Sequence, residues 1–123
     1  MAEKILVVED DSISLSAVSR YLQIMGYEVE QAGDGLEALD KLENHSFDLV
    51  LSDIMMPKID GLLLTKHIRT RFPCTPIILM TADPPEPPSR VVALTGARYL
   101  LAKPLMLDEL LEKIRSTLDP PTS

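Results

Sequence analysis

The feature that most constrains the fold is the alternation of short apolar runs with longer segments of helical period. Residues 5–8, 49–51 and 77–80 are unbroken apolar runs that are too short for helices. Such runs are typical of strands buried on both faces of a parallel sheet. Residues 28–32 alternate apolar with polar side chains, so we expect an edge strand there, and residues 99–102 are a fifth candidate strand.

Amphipathic segments separate these strands and predict five helices. The first has an N-cap at Asp11 or Ser12 and a stop at Gly26, and the fourth is a short helix over about residues 89–95. In the first, second, third and fifth helices, apolar residues recur at spacings of three and four. They are, in that order, Leu15, Val18, Leu22 and Met25; Leu36, Leu39 and Leu42; Leu64, Ile68 and Phe72; and Leu110, Leu111, Ile114 and Leu118.

Five βα units in succession predict an α/β, doubly wound, flavodoxin-like domain with helices on both faces of one parallel sheet. The strand order 2-1-3-4-5 places the alternating strand at an edge, and it brings the carboxyl ends of strands one and three together. We expect this (βα)5 domain to cover residues 1–118. Residues 119–123 would be a tail or the start of a linker.

Composition excludes several classes of function. A chain of 123 residues is one domain, and its formal charge of −7 disfavours binding to nucleic acid or to a membrane surface. No apolar run approaches the length of a membrane span, and Cys74 is the single cysteine, so no internal disulfide can form. We therefore expect a cytoplasmic protein.

Chemically active side chains follow the central strands. Glu9 and Asp10 come after strand one, Asp53 after strand three, Thr81 after strand four, and Lys103 after strand five. Two carboxylates about 5 Å apart repel by about 3 kcal/mol at an effective dielectric constant near 20, so they tolerate each other only if one is protonated or a cation lies between them. Oxygen ligands alone favour Mg²⁺, and a lysine beside a metal ion indicates that an anion such as phosphate also binds there. A carboxylate could then attack phosphorus in line.

From about residue 3 to residue 118, the chain resembles the receiver domains of two-component response regulators, the family of the bacterial chemotaxis regulator. The resemblance rests on five segments in order: Ile-Leu-Val-Val-Glu-Asp-Asp (5–11), Asp-Ile-Met-Met-Pro-Lys-Ile-Asp-Gly (53–61), Met-Thr-Ala (80–82), Gly-Ala (96–97) and Lys-Pro (103–104). Each segment alone is weak, but together they are specific.

The resemblance implies a role for each acidic residue. Asp53 would be the phosphoacceptor, Asp10 a direct Mg²⁺ ligand, and Glu9 an acidic neighbour that acts directly or through water. The backbone carbonyl of Met55 would complete the protein ligands, and Mn²⁺ could substitute for Mg²⁺. The phosphoryl donor would be a sensor histidine kinase or a histidine phosphotransfer protein.

The resemblance also implies a conformational switch. Thr81 would turn toward the phosphoryl group, Lys103 would contact it, and Pro104 would follow a cis peptide bond. An unidentified output partner would bind the surface of helix 4, strand 5 and helix 5. Such a domain is no enzyme beyond catalysing its own phosphorylation and dephosphorylation.

Three features depart from the family pattern or tune it. Leu100 stands where the family often has an aromatic switch residue, and Tyr99, one position earlier, would face the other side of the sheet. Four prolines within residues 84–88 predict a rigid loop before helix 4. Met55 and Asp83 would set the lifetime of the phosphoryl group, and methionines such as Met25 and Met55 are more often core residues than partner sites.

Other classes of function stay open at this point. A haloacid-dehalogenase-like phosphatase also forms an aspartyl phosphate, but it would need a second acid where Met55 stands. A flavodoxin-like electron carrier would need a phosphate-binding loop in place of Glu9 and Asp10. A docking module without phosphorylation would not need the full set of site residues. The sequence does not distinguish a stand-alone regulator from a receiver cut from a longer protein.

Overall fold

The computed structural model of the chain describes residues 2–56, 58–83 and 88–119, without the side chains of Pro88 and Ser89. Within this part of the chain, strands and helices alternate strictly. In order they are β1 (Lys4–Val8), α1 (Ser12–Ile24), β2 (Glu28–Ala32), α2 (Gly35–Asn44), β3 (Leu49–Asp53), α3 (Gly61–Arg71), β4 (Ile77–Thr81), α4 (Pro88–Thr95), β5 (Tyr99–Ala102) and α5 (Leu107–Leu118).

The five strands form one parallel sheet in the order β2-β1-β3-β4-β5, which confirms the predicted α/β fold and topology. Every residue of β3 and β4 is buried, as unbroken apolar runs predict for central strands. β2 is at the edge of the sheet, as predicted, but its burial does not follow the alternation of its sequence, because the exposed residues Glu28 and Gln31 lie on opposite faces of the strand.

Two hydrophobic layers cover the faces of the sheet. Side chains of a strand alternate between them: Ile5 and Val7 of β1 pack toward α1 and α5, whereas Leu6 and Val8 pack toward α2 and α3. Each fully buried aliphatic side chain contributes about 1.5–3 kcal/mol, so the central strands are held firmly from both faces. The carboxyl ends of the strands are therefore fixed in space relative to each other.

Aspartates begin three of the helices. Asp11, Asp34 and Asp60 are the N-caps of α1, α2 and α3, and each carboxylate accepts a hydrogen bond from the backbone N–H three residues later. The structure thus selects Asp11 over Ser12 as the cap of α1. Gly26 follows α1 with a φ of 100°, which agrees with its predicted role as a stop.

Some expectations about the core were wrong. Leu36 is 50% exposed, because the buried face of α2 is formed by Gly35, Ala38 and Leu42. Met25 and Met55 are also exposed, since the first follows the last turn of α1 and the second lies in the connection after β3. Neither methionine fills the core.

The proline-rich loop is described only in part. α4 begins at Pro88, one residue earlier than expected. Residues 84–87 of the predicted rigid loop and residues 120–123 of the predicted tail lie outside the described residues. Among the helices that the structure does describe, none has the length and apolar character needed to cross a membrane.

Candidate functional site

Three side chains that are far apart in the sequence meet at the carboxyl edge of the sheet. The Lys103 ammonium donates hydrogen bonds to Glu9 Oε2 at 2.7 Å and to Asp53 Oδ2 at 2.5 Å. Glu9 directly follows β1, Asp53 ends β3, and Lys103 directly follows β5. The parallel topology thus brings these three residues together, as their positions after the strands predict.

Glu9, Asp10 and Asp53 form an acidic cluster that could hold a metal ion. One carboxylate oxygen of each lies within 4.8 Å of the others, and in the described part of the chain no other group of three potential ligands is this close. Glu9 and Asp53 are only 3% and 5% exposed, whereas Asp10 is exposed. A cluster of carboxylates without histidine or thiolate suits a hard divalent cation such as Mg²⁺.

The charges of this cluster influence one another. Burial raises the pKa of Glu9 above its ordinary value, the hydrogen bond from Lys103 opposes this rise, and the charge of Asp53 reinforces it. Burial lowers the pKa of Lys103, but the hydrogen bonds to Asp53 and Glu9 outweigh burial, so the pKa is raised overall. Lys103 therefore keeps its positive charge at neutral pH.

Backbone contacts fix the position of the Asp53 carboxylate. The Met55 N–H donates to Asp53 Oδ1 at 3.1 Å, so the two carboxylate oxygens contact different partners. The Ile54 N–H donates to the carbonyl of Met80 on β4 at 2.9 Å. Asp53 is therefore held by its own strand, the neighbouring strand and the residues that follow it. The role of the Met55 carbonyl as a metal ligand stays a prediction.

Gly61, the first residue of α3, allows this helix to begin directly against the end of β3. A Cβ atom at Gly61 would lie 2.2 Å from the Asp53 carbonyl oxygen and 2.7 Å from the Ile54 Cα. The Gly61 N–H donates to the Ile54 carbonyl at 2.8 Å. The sequence does not show that a side chain at Gly61 would collide with the backbone of Asp53.

Thr81 is buried and is the last residue of β4, which is one residue longer than the predicted strand over 77–80. Its hydroxyl oxygen accepts a hydrogen bond from the Asp83 N–H at 3.2 Å, and its carbonyl accepts one from the Lys103 N–H at 2.8 Å. The Lys103–Pro104 peptide bond is cis, which confirms that prediction. Thr81 and Lys103 are therefore linked through the backbone, while Asp83 is exposed beside them.

Leu100 and Tyr99 lie on opposite faces of the sheet, as the strand period predicts. Leu100 packs into the layer that also contains Val91 of α4. Tyr99 packs into the other layer, with the Lys113 ammonium 4.9 Å from the centre of its ring. Tyr99 therefore does not take the place of an aromatic residue at position 100.

Sequence reasoning missed a second contact near the site. Lys58 has a φ of 67°, in the left-handed region that side chains disfavour, and its ammonium donates to Asp34 Oδ2 at 3.3 Å. Asp34 belongs to the β2–α2 connection, which no motif of the sequence linked to Asp53. An N-cap aspartate in the sequence gives no indication that a distant lysine also binds it.

Comparisons with known proteins agree with this geometry. The family model described as "Response regulator receiver domain" matches residues 5–115. The response regulator MprA of Mycobacterium sp. (strain KMS) is 41% identical over 119 residues, which are 96% of this chain and 51% of that protein, so the chain spans about half the length of this relative.

Solved structures agree as well. A receiver domain protein (CheY-like) from Methanospirillum hungatei JF-1 has a TM-score of 0.90 and 34% identity, over 97% of this chain and 95% of that one. The response regulator TrrA of Thermotoga maritima, solved in complex with Mg²⁺-BeF, has a TM-score of 0.86 and 35% identity, over 94% and 99% of the two chains.

Proposed function

The chain belongs to the family of response regulator receiver domains, the signalling domains of two-component systems, and from this membership we propose that it accepts a phosphoryl group on Asp53. The donor would be a sensor histidine kinase or a histidine phosphotransfer protein. The proposal is supported above all by the double contact of Lys103 with Asp53 and Glu9 beside an exposed Asp10.

In the proposed transfer, an Asp53 carboxylate oxygen attacks the phosphorus atom of a phosphohistidine. The new O–P bond forms as the N–P bond breaks, and the imidazole leaves with the electron pair of that bond. The Met55 N–H and the Lys103 ammonium contact the two carboxylate oxygens separately, and so they orient the nucleophile. Positioning and charge neutralisation supply most of the catalysis in this class of reaction.

The acidic cluster fits Mg²⁺ because it offers three carboxylates and no softer ligand. In the proposal Glu9, Asp10, Asp53 and the Met55 carbonyl hold the ion, for which Mn²⁺ could substitute. The ion supplies positive charge that neutralises the phosphoryl oxygens. Lys103, which follows β5, would contribute a second positive charge, and its raised pKa keeps that charge in place.

Phosphorylation would then shift the population of two conformations. The Thr81 hydroxyl accepts a hydrogen bond from Asp83, so its own hydrogen is available for a phosphoryl oxygen. Movement of Thr81 would alter the packing of Leu100 and α4. We propose that an output partner reads this change at the surface of α4, β5 and α5.

Hydrolysis of the acyl phosphate would reset the domain. Met55 is 72% exposed beside the phosphoacceptor, and a thioether cannot orient an attacking water. Asp83 is exposed near Thr81 and could do so. We therefore expect an intermediate lifetime of the phosphoryl group. An unchanged decay rate in Met55→Asn would remove this argument.

The central experiment is intact-mass spectrometry of the chain after incubation with acetyl phosphate and Mg²⁺. The wild type should gain the mass of one phosphoryl group, and chelation of the metal should prevent the gain. Asp53→Asn should gain nothing. Asp40→Asn, which changes an exposed aspartate of α2 in the same way, should behave as the wild type.

Two results would contradict the proposal. The first is an equal mass gain in Asp53→Asn and the wild type, which would place the phosphoryl group on another residue. The second is a wild type that gains no mass from acetyl phosphate or from any phosphorylated histidine donor. Peptide mapping of the modified wild type to residue 53 would complete the assignment.

A further inference from the structure

The connection between β3 and α3 has an unusual backbone at Lys58. This residue has a φ of 67°, and among the described residues it is the one position other than glycine with a positive φ. Lysine has no local hydrogen bond that favours this conformation, unlike asparagine or aspartate. Something outside the connection must therefore stabilise it.

Asp34 provides that contact. Its Oδ1 atom accepts the hydrogen bond from the Glu37 N–H at 2.8 Å that caps α2, and its Oδ2 atom accepts one from the Lys58 ammonium at 3.3 Å. One carboxylate thus joins the start of α2 to the β3–α3 connection. The two bonds use different oxygens, so neither excludes the other.

Backbone packing brings the same two segments together. A Cβ atom at Gly35 would lie 2.6 Å from the carbonyl oxygen of Ile59. The start of α2 therefore touches the connection at two successive residues, Lys58 through an ion pair and Ile59 through its backbone. Only glycine at position 35 permits this approach.

The other end of the connection leads to the phosphoacceptor. The Met55 N–H donates to Asp53 Oδ1, and the Gly61 N–H donates to the Ile54 carbonyl. The connection is thus closed at its base beside Asp53 and held near its middle by α2. Lys58 and Met55 belong to the same short connection, so we expect the position of Lys58 to influence the peptide of Met55.

We propose that Asp34 is a positioning residue for the phosphorylation site: by holding Lys58, it fixes the backbone of Met55 beside Asp53. This proposal rests on the proposed function, in which the Met55 carbonyl is a ligand of Mg²⁺. Asp34 touches neither the ion nor the phosphoryl group. It acts through the connection, and so loss of its contact weakens metal binding without removing a ligand.

The contact is exposed, which limits its effect. The side chains of Lys58 and Asp34 are 60% and 20% exposed, and such ion pairs change an equilibrium constant by at most about five-fold. Salt screens them, with a Debye length of about 3 Å at 1 M. We therefore expect a change of about three-fold in the Mg²⁺ dissociation constant at low salt, and little change at 1 M sodium chloride.

Asp34→Asn is the informative variant, because asparagine is as good an N-cap as aspartate but carries no charge for Lys58. Lys58→Gln removes the same pair from the other side, and Lys58→Arg keeps it. Glu43→Gln is the matched control. It breaks an exposed ion pair with Arg71 that joins the other end of α2 to the end of α3, far along the chain from Lys58.

The measurement is calorimetric titration of each full chain with Mg²⁺ alone at two salt concentrations, together with the rate of phosphorylation by acetyl phosphate. Asp34→Asn and Lys58→Gln should each raise the dissociation constant about three-fold at low salt, and the double variant should be no worse. Their rates should fall at limiting Mg²⁺ and recover at saturating Mg²⁺. Lys58→Arg and Glu43→Gln should match the wild type.

Several outcomes would overturn the proposal. They are an unchanged dissociation constant in Asp34→Asn, an equal loss at both salt concentrations, and an equal loss in Glu43→Gln. If the wild type binds Mg²⁺ and is phosphorylated on Asp53 while Asp34→Asn does both equally well, only the positioning role fails. If the wild type does neither, the proposed function fails together with it.

Discussion

Replacement of Lys103 by methionine would remove a cation that contacts both Glu9 and Asp53. Carboxylate oxygens of these two residues lie within 4.8 Å of each other. At an effective dielectric constant near 20, two unit charges at that distance repel by about 3 kcal/mol. The two carboxylates are almost fully buried, so water relieves little of this repulsion. In the wild type the two contacts of Lys103 offset this repulsion, and removal of one partner from a buried ion pair costs about 3–5 kcal/mol. We therefore expect Lys103→Met to lower the free energy of unfolding at pH 7 by about 3 kcal/mol in the absence of metal.

The loss should depend on pH. In the wild type, burial already raises the pKa of Glu9, and the hydrogen bond from Lys103 holds that rise back. Without Lys103 the pKa of Glu9 will rise further, so the folded variant binds a proton that the unfolded chain releases. Its stability then decreases as the pH rises through this pKa and increases as the pH falls. The difference from the wild type should be largest at pH values above this raised pKa and should shrink as the pH falls below it.

Urea denaturation at several pH values measures this difference. Lys66→Met is the control, because it removes an exposed lysine and changes the net charge equally. The double variant Glu9→Gln, Lys103→Met should recover most of the lost stability, since only one of the two facing carboxylates keeps its charge. Mg²⁺ should also stabilise Lys103→Met more than the wild type. A variant as stable as Lys66→Met at pH 7, or a loss that does not change with pH, would refute the electrostatic account.

Three further predictions follow from the geometry of single residues. Gly61→Ala should destabilise the fold by about 1–3 kcal/mol and slow phosphorylation, because its Cβ would collide with the Asp53 carbonyl. The control in thermal unfolding is Gly33→Ala, since no atom of the described residues lies within 4 Å of a Cβ at that position. Equal losses in the two variants would contradict the prediction. Ser19→Ala should stabilise the protein by about 1 kcal/mol in urea denaturation, since the buried Ser19 hydroxyl has no hydrogen-bond partner among the described residues; a loss would show that the hydroxyl is satisfied. Asp34→Ala should cost about 1 kcal/mol at pH 7. The hydrogen bond that Asp34 accepts from the Glu37 N–H holds the pKa of Asp34 below its ordinary value. The stabilisation by Asp34 is therefore present above about pH 4 and disappears as the pH falls through the lowered pKa. A difference between variant and wild type that does not change with pH would contradict this prediction.

The residues of the acidic cluster could be predicted because they depend on the sheet alone. Unbroken apolar runs locate the central strands, and the parallel order places the strand ends side by side. Once Glu9, Asp53 and Lys103 each follow a strand, their meeting requires no knowledge of the loops. The same reasoning separated Leu100 from Tyr99, because a strand period of two leaves no freedom in the choice of face.

Features that depend on the approach of two connections could not be predicted in this way. The contact between Asp34 and Lys58 occurs with a left-handed backbone at Lys58, a conformation that lysine residues rarely adopt. A lysine in the sequence therefore does not predict it. The exposure of Leu36 is a similar case. The spacing of Leu36 fits the apolar stripe of α2, yet the buried face of the helix is the one that carries Gly35. In the first turn, spacing alone does not show which of these two residues is buried.

Lys103 alone does not neutralise the negative charge of the acidic cluster. The three carboxylates of the cluster carry two more formal charges than the one ammonium can neutralise. Two of these carboxylates, Glu9 and Asp53, are almost fully buried. Conversion of the Asp53 carboxylate into an acyl phosphate would add more negative charge at the same place. A site that served only the fold would be more stable with one carboxylate fewer, since an unpaired buried charge costs several kcal/mol. The excess of negative charge therefore favours a cation-dependent function over a structural one, and metal affinity should fall when any one of the three carboxylates is neutralised.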